Sequence, residues 1–501
     1  MRRRRRVWGI PVILLAAGLA VSSALGASAA RSAPAATPSG SAGASVQVAA
    51  APAVPAGFVY RSGRTLMLDG APYRFVGFNA FGMAGCATGT AWTDDQLAVY
   101  FDGLPAASMT RIWAFSRWGM AALDRIVAAA QARHQKMIFS LAEAGSGCES
   151  PAKDNAWYAS GYQGSYLAWV RQVVTRFAGS PAIGMWEIIN EPGHTSTVDA
   201  TTMKAFLDGT AAVIKGIDPD HLVESGSMAE YAPGFAAFGT EHSGPDIDVG
   251  SLHEYDYSAA NPLIVSHHLA PTLSALDAIA KPLIIGEVGI SSGTDATCLP
   301  TLADRAAALR RKLDAYFLSG VAGVLIWNYT PTPSTTCGLS VRGTPADPAL
   351  AMVSAYVPPT PPAPPVPSGT LVARHSGKCL DVVTAANRAL LVQNSCTGVS
   401  SQRFSFAPTD GGFYRVVAAN SGRCLDVYGQ SIALKAVIQQ WDCWNGLNQQ
   451  FRFEPTDGGY YHLIARNSVM CLDVVSRGTA DGTGVQQYDC GAGTNQQFRI
   501  G

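Results

Sequence analysis

Glu191 and Glu287 are the residues of this sequence best placed for acid–base and nucleophilic chemistry. Glu191 lies in Met185-Trp186-Glu187-Ile188-Ile189-Asn190-Glu191-Pro192, and Glu287 in Pro282-Leu283-Ile284-Ile285-Gly286-Glu287-Val288-Gly289. Each follows a short apolar run that reads as a buried strand, and each precedes a breaker or a small residue. A carboxylate just past a buried strand points into the mouth of a sheet or barrel. Two carboxylates facing each other there are what glycoside hydrolysis needs. One protonates the leaving oxygen, and the other meets the anomeric carbon with negative charge.

Other residues at predicted strand ends point the same way. Arg111 can pair with a carboxylate and lower its pKa. Asn190 can hydrogen-bond a sugar hydroxyl. His253 and Tyr255 can orient the two acids, and Trp327 offers a flat apolar face to a pyranose ring. Taken singly, each has a plainer reading: Asn-Glu-Pro as a turn, Arg111 as a structural ion pair, Trp327 as core. Their coincidence at the ends of strands two, four, six, seven and eight favours a site. Glu143 ends strand three and can line a subsite. Glu149, Asp154, His134 and Glu187 read as surface or packing.

The elements that must position these groups alternate. Strands are expected over Arg74–Asn79, Thr110–Phe115, Lys136–Leu141, Ile183–Ile189, Leu222–Gly226, Val249–His253, Leu283–Gly286 and Val321–Trp327. Amphipathic helical stretches lie between them, among them Ala121–Arg133, Gly164–Phe177, Thr202–Ile217 and Leu302–Leu318. Eight such alternations are the pattern of an α/β fold of the (β/α)8 TIM-barrel kind. A doubly wound sheet would want a Gly-rich loop after its first strand, which is missing. Phe58–Leu68 reads as a small hairpin turning at Ser62-Gly63.

Arg2 to Arg6 precede an apolar run from Val7 to Leu25, and Ala27-Ser28-Ala29 suits cleavage. Residues 1–29 are therefore expected to be a secretory signal, and residues 30–56, rich in Ala, Pro and Ser, a disordered leader. Without the five signal arginines the chain has 31 Lys+Arg against 36 Asp+Glu, a net −5. That balance gives no basic footprint for nucleic acid. The expected protein is a secreted monomer, free of the membrane after cleavage. Val357 to Pro367 is a proline-rich linker between a barrel over 57–356 and a tail over 368–501.

The ten cysteines suit an exported protein. No Cys-x-x-Cys spacing suggests zinc. The expected barrel pairs are Cys86–Cys148 and Cys298–Cys337. The tail repeats Cys-Leu-Asp-Val at Cys379, Cys424 and Cys471, and each repeat ends in Gln-x-Phe, at Gln402, Gln449 and Gln496. Each repeat also holds its own partner cysteine: Cys396, Cys443 and Cys490. Three short units without helical periodicity predict a threefold all-β domain.

With these motifs in view, residues 57–356 resemble glycoside hydrolase family 5. The resemblance rests on Phe75-Val76-Gly77-Phe78-Asn79, Thr110-Arg111-Ile112-Trp113-Ala114-Phe115, Trp186 through Pro192, Ser251-Leu252-His253-Glu254-Tyr255, Ile285-Gly286-Glu287-Val288-Gly289 and Leu325-Ile326-Trp327. It implies a retaining enzyme with Glu191 as acid/base and Glu287 as nucleophile. Arg111 and Tyr255 would flank the nucleophile, Asn190 would meet the 2-hydroxyl, His253 would support the acid/base and Trp327 would lie under the −1 sugar. Within the family the sequence looks most like endo-β-1,4-mannanases, through Arg176 to Ile183 and Asp218 to Val223. It departs from them in Ser140-Leu141-Ala142-Glu143-Ala144-Gly145 and Glu254-Tyr255-Asp256-Tyr257, both at subsites, so β-glucan and arabinose- or galactose-containing hemicelluloses stay open as substrates. A non-catalytic lectin is the rival of another class; the presence of both glutamates argues against it. No metal or organic cofactor is called for.

The tail is similar to the ricin-type β-trefoil, carbohydrate-binding module family 13. That resemblance implies a sugar site in repeat two at Asp426, Gln439, Trp441, Asn448 and Gln449. It implies another in repeat three at Asp473, Gln486, Tyr488, Asn495 and Gln496. Repeat one keeps Asp381 but has Asn394 in place of the aromatic and Ser401 in place of Asn, so its site is expected to be weak or dead. The implied partner is a polysaccharide.

Overall fold

A computed structural model describes residues 54–501, apart from residues 87, 195, 230–233, 258–267, 294–298, 332–337, 343–346, 360–362 and 445. The expected signal, most of the leader and the Cys298–Cys337 pairing lie outside the described residues. Among the described residues no helix is long and apolar enough to cross a membrane.

Eight strands form the barrel: β1 Phe75–Asn79, β2 Met109–Trp113, β3 Lys136–Ser140, β4 Ile183–Glu187, β5 Leu222–Glu224, β6 Gly250–Glu254, β7 Leu283–Val288 and β8 Gly323–Trp327. They pair in parallel in the order β5-β4-β3-β2-β1-β8-β7-β6. The ring closes through a bridge between Glu224 and Val249. Nearly every strand residue is buried, which is why the strands read as continuous apolar runs rather than as alternating patterns. The intervening helices Met120–Gln131, Ser165–Phe177, Ala200–Ile217 and Leu302–Ser319 follow the expected periodicity closely. Their ends are set locally: Asp199 accepts from the Thr201 and Thr202 amides, and Thr301 from the Asp304 amide.

Inside the barrel, side chains two residues apart share a face. Phe75, Met109, Ile138, Met185, Leu222, Val249, Ile284 and Leu325 make an apolar layer. Two residues further along five strands come Arg111, Ser140, Glu187, Glu224 and Ser251, all buried. A polar layer thus rests on an apolar floor, at the C-terminal end where a barrel carries its site.

Strand boundaries shift by one or two residues from the sequence reading throughout the barrel, and three differences have a visible cause. β4 ends at Glu187 rather than Ile189, because Asn190 leaves to bridge Glu143. β7 runs on to Val288, so Glu287 lies inside the strand, and the β6–β7 register shifts between Ile285 and Glu287. Such a bulge re-aims a side chain. The N-terminal hairpin pairs Ser62 with Thr65, so Gly63-Arg64 form its turn, with Gly63 at φ +58°.

The tail is all-β. In each repeat the Cys-Leu-Asp strand pairs antiparallel with the strand before the second cysteine. Cys379 faces Asn394, Cys424 faces Trp441 and Cys471 faces Tyr488. Disulfides join Cys379 to Cys396, Cys424 to Cys443 and Cys471 to Cys490, and in the barrel Cys86 to Cys148. Leu380, Leu425 and Leu472 meet Phe404, Phe451 and Phe498 in the shared core, so the repeated Cys-Leu-Asp and Gln-x-Phe motifs supply that core.

Glu241 ends the helix Phe235–Glu241, is buried, and has one carboxyl oxygen without a partner. Burial pushes it up to about 7. Its folded form therefore keeps a proton that the unfolded chain loses above its ordinary value, and stability falls as pH rises through that window. Glu241→Gln is expected to gain stability over the parent between pH ~4.5 and ~7, by about 3 kcal/mol at the upper end, read from urea unfolding across pH.

Candidate active site

Arg111 is fully buried at the centre of the polar layer, and its guanidinium meets acceptors from three other strands or their ends. It bonds both oxygens of Glu187 (Nη2–Oε1 2.7 Å), Asn79 Oδ1 at 2.8 Å, Asn190 Oδ1 at 2.6 Å and Glu287 Oε1 at 2.6 Å. Its carbon also lies 4.6 Å from the Trp113 ring centre. Burial opposes the charge, and Glu187 and Glu287 more than restore it. The same pairing pulls Glu187 below the ordinary carboxylate value against its burial. Asn79 is fixed in turn by donating to the Gly286 carbonyl at 2.9 Å.

Glu287 takes a second donor, the Tyr255 hydroxyl on Oε2 at 2.5 Å. Burial pushes Glu287 up, His253 and Arg111 oppose this, and the charge of Glu191 adds to it. Tyr255 is itself raised well above its usual value by burial and by Glu287. Glu191 sits beyond β4 with φ +52°, a left-handed conformation uncommon outside glycine and frequent at functional sites. Its amide bonds the Gly226 carbonyl at 3.0 Å. Gly226, at φ +76°, must be glycine, since a Cβ would lie 1.7 Å from the Ile189 carbonyl oxygen. The Glu191 carboxylate is held between two histidines, His253 Nδ1 at 2.9 Å and His194 Nδ1 at 3.3 Å. Burial would raise Glu191; His253 first, then His194, bring it below the ordinary value.

The structure thus brings Glu191, Glu287, Arg111, Asn190, His253 and Tyr255 into one cluster. Trp327, half-buried, stands at its edge, stacked on Phe81 with ring centres 4.9 Å apart and tilted against Trp113 at 5.8 Å. Three side chains of this site were not singled out in the sequence. Glu187, read as surface or packing, is the bidentate partner of Arg111. Asn79 ends β1 and would have satisfied the strand-end rule. His194 lies one turn past Glu191, and nothing in its sequence context marks it. Glu143, by contrast, spends its Oε2 on the Cys148 and Glu149 amides and shapes its own loop. Oxygens of Glu191 and Glu287 and a nitrogen of His253 lie within 4.8 Å of one another, a spacing a metal ion could use. Those atoms already engage one another or Arg111 and Tyr255, so the arrangement does not require an ion.

In the tail, Asp426 Oδ1 accepts from Gln439 at 2.9 Å, and its Oδ2 from Asn448 at 2.8 Å and Gln449 at 2.9 Å. Asp473 repeats this with Gln486 at 3.0 Å, Asn495 at 2.7 Å and Gln496 at 3.0 Å. Trp441 and Tyr488 each line a cavity with their aspartate. In repeat one, Val392 holds the register position of Gln439 and Gln486, and Asp381 Oδ1 has no partner.

Residues 367–498 match the ricin-type beta-trefoil lectin domain, and residues 167–258 match the GH family 5 beta-mannosidase-like family. The chain carries a family 5 glycoside hydrolase domain and a ricin-type β-trefoil lectin domain. The hydrolase domain is similar to the rice protein "Mannan endo-1,4-beta-mannosidase 8", 26% identical over 293 residues, which are 46% of this chain and 79% of that one. It is also 26% identical over 300 residues to the Aspergillus terreus "Probable mannan endo-1,4-beta-mannosidase C", covering 47% of this chain and 74% of that protein. Among solved structures, the endo-1,4-beta-mannanase from Rhizomucor miehei aligns at 20% identity with a TM-score of 0.46, over 59% of this chain and 97% of its own. The chain is a glycoside hydrolase, and its lectin domain makes polysaccharide its partner.

Removing the Arg111 charge strands its buried acceptors. Arg111→Met in the hydrolase domain is expected to cost about 3–5 kcal/mol of barrel stability, measured by urea unfolding of the full chain. A cost under about 1 kcal/mol, the worth of an exposed pair, would show that the guanidinium is not the centre of the network.

Proposed function

We propose that this chain is a secreted, retaining endo-β-1,4-mannanase-like enzyme with Glu191 as acid/base and Glu287 as nucleophile. The observation that supports this most directly is the close approach of the two carboxylates, with oxygens within 4.8 Å. Double displacement works with carboxyl groups about 5–5.5 Å apart, whereas inversion needs about 6.5–9.5 Å to admit a water. In the first step Glu191 gives its proton to the glycosidic oxygen as that bond to C1 breaks, and a Glu287 oxygen bonds C1. In the second, Glu191 takes a proton from water, whose oxygen attacks C1 and releases Glu287.

The surroundings suit these roles. Both Glu287 oxygens accept bonds, from Arg111 and Tyr255, and those donors fit the carboxylate form. Glu191 must be protonated when it meets the leaving oxygen, yet its two histidines favour its charge. A sugar seated against its exposed side would exclude water there and raise it, by the desolvation that already acts on its buried side. Asn190, with its oxygen on Arg111, has its amide nitrogen left for a sugar hydroxyl, and Trp327 supplies a ring face at the edge of the cleft. Mannan as substrate rests on the relatives' names. Export is supported by the Arg2–Arg6 and Val7–Leu25 pattern and by the disulfides.

Release of reducing sugar is expected from β-1,4-mannan above xylan, β-glucan and arabinogalactan, with the product first appearing in the anomeric form of the substrate by NMR. Glu191→Ala should lose about 10²–10⁴-fold, and Glu287→Ala all detectable turnover. No cleavage of any glycan would leave the lectin reading, and full activity in Glu287→Ala would overturn its role as nucleophile. Inverted product would overturn the roles.

The lectin domain supports two sugar sites, in repeats two and three, with stacking rings Trp441 and Tyr488. Trp441→Ala and Tyr488→Ala should each weaken binding to insoluble polysaccharide about 2–10-fold, and the double variant by more than either. Asp381→Ala should leave binding unchanged in the same pull-down assay.

A further inference from the structure

Beside the two carboxylates lies a row of buried polar atoms, both Glu224 carboxyl oxygens, Ser251 Oγ and His253 Nε2, none of which closes a hydrogen bond of full geometry within the protein, although the Gly226 amide and the Ser251 hydroxyl face the Glu224 carboxyl. All three residues are at most 1% exposed. Ser251 and His253 stand two apart on β6 and share its inner face. Glu224 ends β5 at the barrel's seam, bridged to Val249 two residues before Ser251, and its carboxyl faces the Ser251 hydroxyl. The space a side chain at Gly286 would fill is occupied from both sides, by Ser251 Oγ at 2.4 Å and His253 Nε2 at 2.8 Å from the would-be Cβ. These two atoms are within reach of each other or of one bridging water.

For a neutral imidazole the donors and acceptors run in one direction. His253 Nδ1 faces Glu191 Oε1 at 2.9 Å and Glu287 Oε1 at 3.5 Å, so it must carry the hydrogen. Nε2 then accepts, and Ser251 is the hydroxyl that shares its space. A serine that donates to Nε2 can accept at its oxygen, and the group there is Glu224. We propose that Glu224, as a neutral acid, and Ser251 are positioning residues that fix the tautomer of His253: Glu224 donates to Ser251, Ser251 to His253 Nε2, and His253 Nδ1–H to Glu191. The charge balance agrees. Glu224 is the strand neighbour of Glu187, and Arg111 already serves Glu187 and Glu287. Burial and the Glu187 charge push Glu224 well above the usual carboxylate range, with Arg111 opposing.

The charged and titratable groups around His253 are Glu187 on β4 and Glu191 beyond it, Glu224 on β5, Glu287 on β7 and Arg111 on β2, with Tyr255 on the same side. Glu254, on the opposite face of β6, pairs with Lys312 outside the barrel. Losing the Ser251 donor would let the ring hold a hydrogen on Nε2. It would then either turn a lone pair toward Glu191 or become an imidazolium that holds the Glu191 proton less well.

This inference builds on the acid/base role of Glu191, but its first test does not need turnover. The full chain with ¹⁵N-labelled histidine is examined by long-range ¹⁵N–¹H correlation, the His253 signals being assigned by their loss in His253→Gln. The parent should show the Nδ1–H pattern. Ser251→Ala and Glu224→Leu should lose it, and Glu224→Gln, whose amide also donates, should restore it. In activity, Ser251→Ala should lower kcat about tenfold at neutral pH with KM unchanged and move the alkaline limb of the pH profile down. An Nε2–H parent, or a Ser251→Ala chain with the parent's pattern and limb, would overturn the proposal; so would Glu224→Gln behaving like Glu224→Leu. If the chain cuts no glycan while the ring pattern behaves as described, the assignment stands and the enzymatic role fails. Should Glu224→Leu not fold, Ser251→Ala and Glu224→Gln still decide.

Discussion

The site depends on one constraint: a cation that cannot be neutralised is buried in the middle of a barrel. Arg111 has five N–H donors in a fixed plane, and no water reaches them. Every donor direction must therefore end on protein. Asn79, Glu187, Asn190 and Glu287 meet it from β1, from β4 and its end, and from β7, so the guanidinium sets the relative positions of these elements at their C-terminal ends. A buried charge is costly unless paired and hydrogen-bonded, and the pairing that Arg111 demands is the one that places Glu287 opposite Glu191.

That arrangement brings more carboxyl groups than cations into the barrel. Arg111 balances Glu187 and Glu287 in part, two histidines hold Glu191, and Glu224 has no cation of its own. Backbone geometry completes the fit. Glu191 is held at φ +52° by a loop whose approach to β5 only a glycine at 226 allows. The β6–β7 bulge turns Glu287 out of the alternation that would otherwise govern its strand. The apolar layer below, from Phe75 round to Leu325, gives the polar layer a floor that does not yield.

The lectin domain solves a similar problem with neutral groups. An aspartate buried beside the core accepts three amide hydrogens in repeats two and three. It is thereby oriented beside an aromatic ring. Repeat one lacks both parts: Val392 cannot donate where Gln439 and Gln486 do, and Asn394 offers no ring. The aromatic loss is visible from spacing to the cysteine. The Val392 substitution emerges only when the strands are set in register.

Much of this was legible in the chain because it rests on local pattern. Buried strands announce themselves as apolar runs, helices by their period, and the trefoil by repeats whose leucine and phenylalanine fill the core. Strand-end position was enough to pick out Glu191, Glu287, Asn190, His253 and Tyr255, while Arg111 stood out as a charge inside an apolar strand. What stayed hidden is what depends on neighbours across the ring. Glu187 looked like packing because a carboxylate inside an apolar run has no local partner; Arg111 lies 76 residues away. Glu224 lies in no motif, Ser251 and Gly286 lie in motifs that give them no role of their own, and all three gain meaning only when β5, β6 and β7 stand side by side. The sequence by itself determined which elements form and which face of each is polar, since both follow from short-range periodicity. Tertiary structure alone decided which acid meets which base, because proton placement depends on burial and on charges brought together from distant strands.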